Sequence, residues 1–138
     1  MCHMETVEFL ILKNLLYNEE YLRKVIPFIK GDYFEDRNQK IVFEEIINFV
    51  QEYNQPVTKE VLCIEAEKRQ DITDESFKEI TQLIGSLEDQ PSEFEWLVNT
   101  TEKWCRDRAI YLALMESIQL ADGKDDTKGR DAIPSILS

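Results

Sequence analysis

The sequence is poor in residues that break a chain, with only four glycines and four prolines among 138 residues. That scarcity excludes a loop-rich or collagen-like chain and argues for helices joined by short connections. Histidine occurs once, at His3, which removes most histidine-based catalysis and any multi-histidine metal site. Cys2, Cys63 and Cys105 are an odd, widely spaced set. They fit a reducing compartment rather than a disulfide framework, and their spacing is not that of a zinc finger, so no structural metal is expected. No apolar run approaches the roughly 18 residues of a membrane span, and no signal peptide is visible. The expected location is the cytoplasm, with no membrane partner. Basic charge is also short, 16 Lys and Arg against 28 Asp and Glu, for a net charge of -12.

That charge is unevenly placed. Residues 1–95 carry 21 acidic and 10 basic side chains, whereas residues 96–130 carry six of each. An acidic head repels phosphate, so direct DNA binding by it is not expected. The same charge suits either a basic protein partner or simply a soluble surface.

Apolar periodicity predicts an all-α chain. A first helix is expected over Glu5 to Tyr17 and a second over Glu19 to Ile29, capped by Asn18 and bent or ended by Pro27. Asp32-Tyr33-Phe34 reads as a connector whose aromatics plug into the core. Asp36 and Gln39 can box a third, central helix running to about Tyr53. Thr58 and Thr73 cap a fourth helix, to Lys68, and a fifth, to Leu87. The expected head core comprises Leu12, Leu16, Tyr33, Phe34, Val42, Ile46, Phe49, Phe77 and Ile80.

A long helix is expected over Ser92 to Ala121, opened by a Ser92–Glu95 capping box. Thirty residues span roughly 45 Å at about 1.5 Å each. Residues 109–115, AIYLALM, are apolar on every side, and a helix that is apolar all round is buried all round. Little of the chain follows to bury it, so contact with another subunit is the favoured reading over burial in the same domain. Trp96 and Trp104 read as core or head–stem packing, and Arg106 and Arg108 as a solvated face or intersubunit pairs. Asp122 to Arg130 reads as a flexible loop, and Asp131 to Ser138 as the start of a returning helix, as in a chain cut from a longer one. Two domains result: a five-helix head over 1–91, and a stem helix with the start of a hairpin over 92–138.

Catalytic motifs are missing. No G-x-x-x-x-G-K-[ST] occurs; Gly123-Lys124 is followed by two aspartates. Glu19-Glu20, Glu44-Glu45 and Glu65-x-Glu67 are paired carboxylates read as solvated faces, because neighbouring helical residues point apart. The chain by itself is therefore not expected to be an enzyme.

Several stretches, taken in order, resemble the N-terminal domain of replicative DnaB-type helicases. They are Phe9 to Asn18, then Tyr21 and Val25, then Asp32-Tyr33-Phe34, then Ile41 to Ile46, then Pro56, Thr58 and Glu65 to Arg69. Asp32-Tyr33-Phe34-Glu35, Trp96 to Lys103 and Ala132-Ile133-Pro134-Ser135-Ile136 are similar to segments of the helicases of T4-like bacteriophages. The resemblance implies an all-α head with a helical hairpin that pairs between subunits. Six copies would form a collar on a ring of ATPase motors, and the collar would dock primase in the primosome. Trp104, Arg108, Tyr111, Leu112, Met115 and Ile118 are the residues expected at the hairpin pairing surface. The full-length protein would be an ATP-dependent DNA helicase. ATP and magnesium would act only in the motor domain, and this chain itself would hold no cofactor. If phage-encoded, it would act in the cytoplasm of an infected host. The competing reading, from charge and size, is a free-standing acidic phage protein that mimics DNA or inhibits or adapts a host factor.

Overall fold

Thr6 opens the first helix by accepting a hydrogen bond from the Phe9 amide at 3.2 Å, and four more helices in the computed structural model begin the same way. Residues 6–123 are described. The chain is all-α, as expected: α1 (Val7–Tyr17), α2 (Glu19–Val25), a 3-10 turn (Gly31–Tyr33), α3 (Arg37–Tyr53), α4 (Lys59–Glu67), α5 (Asp74–Ser86) and α6 (Phe94–Gly123). No strand occurs among the described residues, and no helix among them is long and apolar enough to cross a membrane. Glu5, Lys124 to Arg130 and the expected returning helix Asp131 to Ser138 lie outside the described residues.

Local chemistry sets most boundaries. Asn18, Asp36, Thr58 and Thr73 each accept an amide of the following first turn with the side chain, satisfying a donor that the helix start leaves open. Asn18 also closes α1, its own amide donating to the Asn14 carbonyl at 2.8 Å. The second helix stops at Val25 rather than Ile29. Pro27 has no amide proton and its ring crowds the preceding turn, so Phe28 and Ile29 both donate to the Val25 carbonyl and the chain turns. Asn54 ends α3 in the left-handed region, at φ 54°, a conformation asparagine tolerates better than most residues.

The long helix begins one residue later than the expected capping box. Glu93 caps it, its carboxylate accepting the Trp96 amide at 2.6 Å. Ser92 instead accepts from the Asn14 side chain at 3.4 Å. Nearby, Lys13 donates to Gln90 at 3.3 Å and Tyr17 donates to the Leu87 carbonyl at 3.2 Å, so the α5–α6 connection is fastened along α1.

α3 is the centre of the head, packed against α1, α4, α5 and the 3-10 turn. Leu12, Leu16, Phe34, Val42, Ile46 and Ile80 are buried, while Tyr33, Phe49 and Phe77 are partly buried against them. The head also includes the first three turns of α6. Leu97, Val98, Thr101 and Cys105 are buried, and the first compact unit ends at Cys105, the second starting at Arg106. The boundary between these compact units falls inside the long helix. Thr101 is completely buried, and its hydroxyl meets the equally buried Tyr21 hydroxyl at 2.7 Å. The polar pair is satisfied without water, which makes its burial tolerable.

Candidate intersubunit surface

The proximal part of α6 is held by aromatic packing. Phe34, delivered by the 3-10 turn, lies 5.0 Å from Trp104 and 5.2 Å from Phe43 between ring centroids. Tyr33 meets Trp104 edge-on at 6.1 Å. Offset and edge-on rings are the favoured arrangements. The Trp104 indole also donates to Glu8 of α1 at 3.3 Å. Trp104 thus packs within the first unit. Trp96, read as packed, is 51% exposed, because the helix faces that carry Leu97, Val98 and Thr101 take the core positions. Burial pushes the Cys105 thiol up to about 12, which leaves it a protonated packing residue rather than a nucleophile.

Beyond Cys105 the pattern changes. Ile110, Tyr111, Leu114, Ile118 and Leu120 are each about half exposed. Ile110, Leu114 and Ile118 recur every fourth residue, so they form one stripe, with Tyr111 beside it. Leu112 and Met115, three apart, are less exposed and continue the apolar band. The Arg108 guanidinium lies over the Tyr111 ring, 5.0 Å from its centroid, a stacked cation that leaves the aliphatic face uncovered. Of the residues expected here, Arg108, Tyr111, Leu112, Met115 and Ile118 fall in this second unit. Ile110, Leu114 and Leu120 were not singled out. Their signal was present in the all-apolar run, but the face left open is set by packing.

The other polar constellation lies in the head. The Arg69 side chain, only 19% exposed, reaches Glu45 at 2.7 Å, Glu44 at 3.3 Å and Asp71 at 2.9 Å. Arg37 adds a 3.3 Å contact to Asp71. Glu44 and Glu45 are thus not merely solvated: one guanidinium fork spans both neighbouring carboxylates and ties α3 to the loop after α4. Arg69 beside Asp71 holds that carboxyl down to about 2. No group of three or more His, Cys, Asp or Glu able to hold a metal occurs among the described residues. The geometry is that of an ion-paired clamp.

Among the described residues, the distal part of α6 leaves an apolar helical face exposed. Residues 1–95 match the profile of the DnaB-like helicase N terminal domain. The chain is also 31% identical over 111 residues to the DnaB-like replicative helicase of Enterobacteria phage T4. That similarity covers 80% of this chain and 23% of the phage protein, so the chain spans about a quarter of that relative's length. With the profile matching well over half of its residues, this chain belongs to the DnaB-like helicase N-terminal domain family.

Proposed function

We propose that this chain is the N-terminal collar domain of a replicative DNA helicase, whose copies pair through the distal half of α6 and whose head docks primase. The observation that carries the pairing is the stripe of Ile110, Tyr111, Leu114 and Ile118, each about half exposed. Leaving such a row in water forgoes about 25 cal/mol for each Å² that a partner would cover. Family membership and the phage relative support the helicase context. ATP hydrolysis and its magnesium then belong to a separate motor domain. The acidic head, with a net -11 over residues 1–95, has no electrostatic reason to hold DNA.

Co-sedimentation with the cognate primase tests the docking. The expected result is a complex that forms with this chain and persists when duplex DNA is added. A protein acting as a DNA mimic would instead bind a basic DNA-binding protein and be displaced by duplex. Failure to bind primase, with displacement by duplex from such a protein, would overturn the collar reading.

A further inference from the structure

A pair of hydroxyls is sealed between α2 and the first three turns of α6. Leu97, Thr101 and Cys105 are four apart and Val98 precedes Thr101 by three, so one row of α6 is buried in the head. Within that row only Thr101 carries a hydroxyl. It lies 2.7 Å from the Tyr21 hydroxyl, and both residues are 0% exposed. Burial holds the Tyr21 phenol well above its ordinary range, so the bond joins two neutral groups. No buried side-chain nitrogen or oxygen among the described residues lacks a partner.

The contacts around this pair differ in how much sliding they allow. Trp104 packs on Phe34 and Tyr33 with ring centroids 5.0 and 6.1 Å apart. Such ring pairs stay favourable over separations of about 4.5–7 Å, so a shift of α6 by about an ångström keeps them. The apolar row is equally tolerant, because burial has no direction. A hydroxyl–hydroxyl bond is lost beyond about 3.0 Å. The same shift therefore breaks the Tyr21–Thr101 bond and strands two buried hydroxyls, which is costly. A slide of one whole turn does no better: it sets Leu97, with no polar atom, or Cys105, with a weak thiol, in the place of Thr101.

We infer that the Tyr21–Thr101 pair fixes the axial position of α6 in the head, selecting one placement from several that the apolar and aromatic contacts accept. Its contribution is to uniqueness of packing more than to net stability, the role of single buried polar residues that set register between helices. The device lies wholly in the head and depends neither on pairing of copies nor on primase.

The test is alkylation of the full chain by iodoacetamide, with each thiol followed by peptide mass. Cys105 is 5% exposed and lies one turn beyond Thr101, so it reports movement of α6. Cys63, partly buried on α4, is the reference. Tyr21→Phe combined with Thr101→Val removes both hydroxyls and keeps the shapes, so its urea midpoint should stay close to native. Cys105 is expected to react about threefold to tenfold faster in that double variant, through local opening, while Cys63 keeps its native rate. Thr101→Val alone strands the Tyr21 hydroxyl and should lower the folding constant about fivefold to a hundredfold. Thr101→Ser keeps the hydroxyl and loses a methyl, so it should accelerate Cys105 and Cys63 only together. Cys105 labelling in the double variant that stays native, or that rises in step with Cys63, overturns the inference. So does a double variant that fails to fold, since the pair then supplies stability rather than position. Selective opening of Cys105 by Thr101→Ser also overturns it, because the methyl is then what holds α6.

Discussion

At the scale of single residues, the side chains with most consequence are those whose partners lie far away in sequence. Arg69 is an example, because Glu44 and Glu45 precede it by 25 and 24 positions. Read locally, two adjacent glutamates on a helix point to solvent; read in space, one guanidinium gathers both. The Asp71 carboxyl, held at about 2 against an ordinary 3.8, makes the clamp sensitive to acid. Its pKa is lower in the folded chain than in the unfolded one. Its contribution is therefore fully present above about pH 4 and is lost as pH falls toward about 2. Urea melts of the native chain and Asp71→Asn should differ at pH 7, and the difference should close over that window. A difference that stays constant down to pH 2 would show that Arg69 does not act through this carboxylate. The same distance in sequence explains Trp104. Its partners Tyr33 and Phe34 come from the 3-10 turn, so packing was legible from the sequence but the partners were not.

At the scale of elements, the helices were legible because their starts are written in short-range chemistry. Thr6, Asn18, Asp36, Thr58 and Thr73 are cap residues whose bonds span three positions, and such signals survive any tertiary context. Ends were less legible. Ile26 and Ile29 continue the apolar rhythm of α2 past its true end, and only the missing amide of Pro27 opposes it. At α6 the Ser92–Glu95 box was a valid local signal, but Ser92 is drawn to Asn14 of α1 and Glu93 takes the cap. The end of α3 offers a direct test of a backbone effect. Asn54 sits at φ 54°, where a β-carbon costs about 1–2 kcal/mol for residues other than Gly, Asn or Asp. Asn54→Ala should therefore lower stability by about 1 kcal/mol in thermal or urea unfolding, and Asn54→Gly by much less. Equal losses would mean that the Arg23 to Asn54 hydrogen bond of 3.2 Å, rather than the backbone, is what matters.

At the scale of the whole molecule, an acidic head is combined with a neutral helix whose distal half is apolar. Composition alone revealed the asymmetry, and the run of apolar residues over 109–115 gave the expectation of a covered face. Which residues stay open was not legible, since periodicity is silent when every face is apolar. The exposed stripe of Ile110, Leu114 and Ile118 now gives the pairing proposal a specific address. A substitution there separates the two meanings of an apolar residue. Leu114 is 58% exposed, so an aspartate in its place stays hydrated in the isolated chain and becomes costly only where a partner buries it. The measurement that bears most directly on the collar reading is sedimentation equilibrium of the native chain and Leu114→Asp over a wide concentration range, with far-ultraviolet circular dichroism of both. The native chain is expected to associate with rising concentration, while the variant stays monomeric with unchanged helix content and melting. A variant that associates as the native chain does, or one that loses its helices, would contradict pairing through the distal half of α6.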